Sequence, residues 1–315
     1  EQQRHHDAQA TLKTGHYTPG YAGAVVAASA TIGPIIPPSI PLVLYALVSD
    51  TSIGYLFLGG VVPGLMMTAL LMAMNTIIAH RRNIPAEEAV PLREIPRVTL
   101  IALPALMMPV ILLAGIYGGA TTPTEAAAVA AFYALLVAGL LYRSLTPTTL
   151  YGVFVDSARS SASVGLVIGS ALIFNYIVAI ENIPQTLSQF MVGLELTRAG
   201  FLVFTMVLFL LLGCVLDATT IILVIIPLFL PSARALGVDL IHFGVIAVVN
   251  CMIGMITPPY GMLLFVVNGT TGIPIKDIVR EGMPFFYALL LALIGIAVFP
   301  DLVLALPRMF GYQGL

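Results

Sequence analysis

Apolar sequence returns repeatedly along this chain, in runs over 56–79, 99–117, 126–142, 163–180, 201–214, 241–252 and 284–306. Several reach the roughly 20 residues that cross the hydrocarbon core of a bilayer. Charged residues make up only 9% of the chain, whereas soluble domains carry about 25%. A soluble chain of 315 residues has no use for so much apolar surface. The pattern predicts an all-α polytopic membrane protein with about seven full spans and several shorter, broken segments. The formal net charge of −2 says nothing about partners; the apolar runs imply the lipid bilayer, and no nucleic-acid partner is expected. Two cysteines in apolar segments, Cys214 and Cys251, read as small hydrophobes rather than a disulfide or metal site. With no Trp, interfacial anchoring falls to Tyr, Lys and Arg.

Inside this apolar sequence the chain is broken twice in the same way. Residues 33–41 read GPIIPPSIP, and residues 254–261 read GMITPPYG. Proline removes a backbone donor and clashes with the preceding turn, so no helix runs through either stretch. At an offset of 221 residues, Gly33 falls on Gly254, Pro37-Pro38 on Pro258-Pro259, Ile32 on Ile253, Ser29 on Asn250 and Leu42 on Leu263. A long apolar run follows each break, with Pro63 and Pro284 near its start. The match indicates an internal structural repeat. Repeated broken helices point to a secondary transporter. A break strips carbonyls and N–H groups of their intrahelical partners, which hydrocarbon does not tolerate. Inside protein or beside a water-filled cavity, the freed carbonyls can hold a small cation, and the half-helix N-termini can hold an anion.

Residues 213–220, GCVLDATT, add a carboxylate at depth: Asp217 is the only acid between Phe201 and Asp239. Such a group costs at least ~2.5–3.5 kcal/mol at the bilayer centre and needs a partner. The flanking runs are short, so residues 213–231 read as a re-entrant hairpin. The helix before it, beginning near Leu196, is then a crossing of its own, which places Ala199 and Ser232 on opposite faces. An Asp that merely caps an ordinary span is the alternative. The cation-site candidates are Ser29, Gly33, Asp217, Asn250, Gly254 and Thr257. The substrate-site candidates are Pro38, Ser39, Thr219, Thr220 and Pro259. Four Arg within residues 81–97 favour the cytoplasmic face for that loop. Residues 183–198 read as an amphipathic surface helix, with a plain surface connector as the alternative. Glu125, just after Pro123, suits a helix start.

These stretches resemble the large membrane subunit of the tripartite ATP-independent periplasmic (TRAP) transporters. The likeness covers nearly the whole chain. It is carried by YTPGYAGAVVAASATIGPIIPPSIPLVLYALVSDTSIGYLFLGGVVPG, GGATTPTEAAAVAAFYALLVAGLLYRSLT, GCVLDATTIILVIIPLFLP and GMITPPYGMLLFVVNGTTG. The resemblance implies a sodium-driven symporter in the bacterial inner membrane, with an elevator-type transport domain built from two inverted repeats. It implies no cofactor beyond coupling sodium ions. Two protein partners follow, a small membrane subunit and a soluble periplasmic protein that delivers an organic acid. The family pattern also divides the chain. Residues 1–20 become the tail of a first hairpin otherwise lacking here. Residues 21–97 become the rest of repeat 1, with the broken helix 33–41. Residues 98–315 become repeat 2, with the hairpin 213–231 and the broken helix 254–261.

Other classes fit less well. A single-component dicarboxylate or citrate symporter shares repeated hairpins but not the GPIIPPS region or residues 118–146. A channel does not explain two matched breaks and a lone acid. An intramembrane aspartyl protease needs a second deep Asp, and no H-E-x-x-H occurs, so the chain is read as a transporter and not an enzyme.

Overall fold

The computed structural model describes residues 17–84, 91, 94–193 and 195–314. The expectations for most of residues 1–20, and for residues 85–90 and 92–93 of the basic loop, lie outside the described residues. Among the described residues all regular structure is helical.

Two helix triplets carry the repeat. In the first, Thr18 caps α1 (Pro19–Ala30) by accepting from the Tyr21 N–H, with Pro19 in the first turn where its missing donor costs nothing. The proline-rich break follows. Ser39 caps α2 (Ile40–Ser49), which ends on the left-handed Asp50 at φ 56, and α3 (Ile53–Arg81) completes the set. In the second, Asp239 caps α11 (Leu240–Gly254), accepting from the Ile241 and His242 N–H groups. The break leads to α12 (Met262–Thr271), which ends on the left-handed Gly272 at φ 73, and then to α13 (Ile275–Val298). Both α2 and α12 have ten residues, and the caps Thr18 and Asp239 differ by the same 221 residues as the breaks. The Pro37–Pro38 and Pro258–Pro259 bonds are both cis. Pro63 and Pro284 lie inside α3 and α13.

The packing exchanges the two triplets. α1 packs on α13 and α11 on α3; α2 meets α11 and α12 meets α1; α3 and α13 pack on each other. One pseudo-twofold relation accounts for every pair. Between the two triplets Tyr45 of α2 is fully buried and donates to the Leu240 carbonyl at 2.7 Å. Gly244 makes room for its ring, since a Cβ there would lie 2.3 Å from the Tyr45 Cε1. Beyond α14 (Asp301–Met309), which packs on α3, Tyr312 donates to the Asp239 carboxylate at 2.9 Å.

By contacts the chain falls into two units, one of Glu1–Pro85 with Ala171–Leu315 and one of Ala86–Ser170. This is a different division from the one by repeat, because the triplets interleave in the first unit while residues 98–170 stand with the second. In the second unit α4 (Ile95–Tyr117) packs on α5 (Pro123–Leu136), and Tyr133 donates to the Pro104 carbonyl at 2.9 Å. Thr122 and Glu125 form a reciprocal capping box, the role expected for Glu125. Long α6 (Pro147–Ile180) crosses the boundary between the units.

Residues 183–198 contain α7 (Ile183–Gly193), in which Met191 is buried while Phe190 is 63% exposed. Next comes α8 (Arg198–Gly213), the tip 214–217, a short α9 (Ala218–Thr220), a π segment Ile221–Ile225, and α10 (Ile226–Ala235). The Phe229 ring lies 6.4 Å from Phe204 and 5.7 Å from Phe209. In a straight helix residues 204 and 229 would be about 37 Å apart. α8 is therefore itself the first leg of the hairpin, and the hairpin runs from Arg198 to Ala235. The fold-back thus takes in both flanking runs, 201–212 and 221–230, and is longer than the 213–231 read from the sequence. The first leg has 16 residues, fewer than the roughly 20 of a comfortable crossing.

Six described helices are long and apolar enough to cross a membrane, in Ile53–Arg81, Ile95–Tyr117, Pro123–Leu141, Pro147–Ile180, Ala218–Ala235 and Ile275–Val298. Five of them hold five of the seven apolar runs; the runs at 201–214 and 241–252 belong to the shorter helices α8 and α11, and the sixth, Ala218–Ala235, is the return leg of the hairpin. Much of the apolar surface of α4, α5 and α6 is exposed, as lipid-facing helices require.

Candidate functional site

A cavity of about 830 Å³ lies where the first break, the hairpin tip and α11 meet. The C-terminal end of α1 supplies Ser29 and Ala30, and the break supplies Gly33, Pro34 and Pro38. Asp217, Ala218 and Thr219 enter from the tip, and Met252 and Met255 from the end of α11. Helix C-terminal ends, with their surplus of carbonyls, thus face the same space as the N-terminal ends of α2 and of the return leg. Among the described residues Asp217 is the one formally charged residue of the lining.

Asp217 caps the return leg. Oδ2 accepts from the Thr219 N–H at 2.9 Å and the Thr220 N–H at 3.3 Å, and Oδ1 accepts from the Thr220 hydroxyl. The capping alternative is therefore real, and it coexists with a place on the cavity wall. The capping bonds leave the carboxylate with lone pairs to spare.

Of the candidates, Ser29, Gly33, Pro38, Asp217 and Thr219 share this lining. The Ser29 hydroxyl donates to the Val26 carbonyl at 3.1 Å and keeps its acceptor capacity. Ser39 is buried, accepting from the Leu42 N–H and donating to the Pro34 carbonyl, so its hydroxyl is spent on the break itself. Pro259 is exposed. Asn250 is fully buried in α11; its Nδ2 donates to the Met206 carbonyl at 2.6 Å, and its Oδ1 is buried without a hydrogen-bond partner. Thr257 donates through its hydroxyl to the Ile253 carbonyl at 2.8 Å and through its N–H to the Gly254 carbonyl at 2.9 Å. Gly254 packs directly on Gly213. A buried, unpartnered amide oxygen, a carboxylate and break carbonyls are the hard oxygen donors an alkali cation takes. The sequence reading missed the methionines of the lining, because Met252 just before the break and Met255 at its start look like any other apolar core positions.

The family described as "Tripartite ATP-independent periplasmic transporter, DctM component" matches residues 9–302. The chain belongs to this family. TRAP large permeases are also its curated relatives. It is 38% identical to the sialic acid TRAP transporter large permease protein SiaM of Vibrio cholerae, over 96% of this chain and 71% of that one. It is 39% identical to the C4-dicarboxylate large permease protein DctM of Pseudomonas aeruginosa, over 94% of this chain and 69% of the relative. It is 36% identical to the 2,3-diketo-L-gulonate large permease protein YiaN of Escherichia coli K12, over 93% of this chain and 69% of the relative. As a TRAP large permease with six apolar helices, it is a multi-pass protein of the bacterial inner membrane.

Proposed function

We propose that this TRAP permease couples the inward movement of sodium to the import of an organic acid, which a periplasmic binding protein delivers and a small membrane subunit helps to admit. The observation that carries the reading is the cavity, walled by the first break, the end of α11 and the hairpin tip. Among the described residues its lining holds the Asp217 carboxylate and no Lys or Arg. A carboxylate substrate entering beside Asp217 meets a like charge, worth about 1–4 kcal/mol at 4 Å between water-like and surface-like dielectrics. A bound cation turns that repulsion into attraction, so binding of the two is coupled. Sodium would draw on Ser29, Gly33 and Asp217, with Asn250, Gly254 and Thr257 behind them. The anion would sit against the N-terminal ends that begin at Ser39 and at Ala218–Thr219, flanked by Pro38, Thr220 and Pro259. The relatives' named substrates, a sialic acid, C4-dicarboxylates and a diketo sugar acid, are all acids of this kind. The hairpin and both breaks belong to one unit, which suits an elevator-type carrier.

Proteoliposomes holding the complete transporter, supplied with its binding protein, test the proposal. Uptake should require an inward sodium gradient; equal uptake driven by a proton gradient alone would defeat it. The acid itself follows from a ligand screen on the binding protein.

A further inference from the structure

The return leg of the hairpin is not a regular helix. After one turn, Ala218–Thr220, it widens into the π segment Ile221–Ile225 and then continues as α10. Such inserts occur mostly as single turns, often near functional sites. The sequence explains a defect here. Pro227 has no N–H, so the Leu223 carbonyl, four residues earlier, loses its α-helical donor. A bare carbonyl is not tolerated within a membrane-embedded hairpin. The donor comes from another helix: Asn175 of α6, half-buried, gives its Nδ2–H to the Leu223 carbonyl at 2.8 Å. The π segment separates the cavity-lining tip, Asp217 to Thr219, from the base of the leg. A change of register by one residue within it turns the tip by about 100° relative to the base.

We infer that Asn175 is a positioning residue of the transport site. By holding the Leu223 carbonyl it sets the register of the return leg, and with it the direction in which Asp217 and Thr219 face the cavity. It touches neither ion nor substrate. The geometric part stands on the hydrogen bond and the π segment; only its consequence for transport rests on the function proposed above. Asn175→Leu keeps the side chain's bulk and removes the donor, so the carbonyl must find a partner within the leg and the register changes. Pro227→Ala restores an N–H four residues after Leu223 and makes Asn175 dispensable.

The test is alkylation of Thr219→Cys in the complete transporter, in a background lacking Cys214 and Cys251, with a small water-soluble thiol reagent. Asn175→Leu should slow it at least about tenfold, the scale of one lost hydrogen bond with its buried acceptor left bare, and adding Pro227→Ala should return it to within about twofold. An unchanged rate in Asn175→Leu overturns the inference, as does a double variant as slow as the single one. Should Asn175→Leu alone not reach the membrane, the Pro227→Ala background answers: there Asn175→Leu must leave the rate unchanged, and a further loss overturns the inference. The sodium concentration for half-maximal uptake should rise and recover in step with alkylation. If alkylation shifts and recovers while uptake ignores sodium, the positioning role stands and the coupling proposal falls.

Discussion

Gly213 and Gly254 meet backbone to backbone: a Cβ built on Gly254 would lie 2.7 Å from the Gly213 Cα, and one on Gly213 would lie 3.0 Å from the Gly254 Cα. The last residue of the hairpin's first leg is thus seated on the last residue of α11, where the second break begins. Gly33, which the repeat aligns with Gly254, is open: among the described residues a Cβ built there meets only the Ala30 carbonyl, at 3.9 Å. The two glycines that the repeat aligns therefore do different things. One faces the cavity, and the other fixes the hairpin to its break.

Gly254→Ala should accordingly destabilise by about 1–3 kcal/mol, the usual cost of overpacking a close contact, and should reduce uptake by displacing the tip. Gly33→Ala meets no such obstacle and should leave thermal unfolding of the purified protein nearly unchanged. Equal losses of stability in the two variants would contradict the assigned contacts.

Asp217→Asn separates the two roles of that residue. Asn caps a helix about as well as Asp, so insertion and stability should hold. The charge is gone, and the sodium needed for half-maximal uptake should rise about tenfold, equivalent to ~1.4 kcal/mol. An unchanged sodium response in proteoliposomes would leave Asp217 as a cap and nothing more.

The extent of the hairpin is open to labelling. With α8 as its first leg, Ala199 and Ala235 lie at the same end, and both are exposed, whereas Ser232 is buried and unsuited to a probe. Single cysteines at Ala199 and Ala235, without Cys214 and Cys251, should react with an impermeant reagent from the same face of the membrane. Reaction from opposite faces would restore a separate crossing before residue 213.

Tyr45 and Gly244 join the two repeats. Tyr45→Phe removes the bond to the Leu240 carbonyl and should cost about 1 kcal/mol. Gly244→Ala drives a methyl into the buried ring and should cost more, about 1–3 kcal/mol. Thermal unfolding in detergent should rank Gly244→Ala as the worse; the reverse order would mean that the ring can yield.

Much of this protein is written in local sequence. Apolar runs of membrane length fix an all-helical membrane fold, because a continuous apolar run of about 20 residues in hydrocarbon satisfies its backbone within itself only as a helix. Proline pairs at a fixed offset mark the breaks for equally local reasons, and Glu125 announces its helix start. The family likeness is legible in the same stretches. What the sequence could not settle is which groups meet. Nothing in GCVLDATT says that the helix before it folds back along the return leg, since that depends on Phe229 reaching Phe204 and Phe209. Nothing in the alignment of Ser29 with Asn250 says that one lines the cavity while the other is buried on Met206. Nor does Asn175 carry a local sign of its task, because the carbonyl it serves is 48 residues away. Helix formation and breakage are decided within a few residues, whereas the wall of a site is decided by long-range packing.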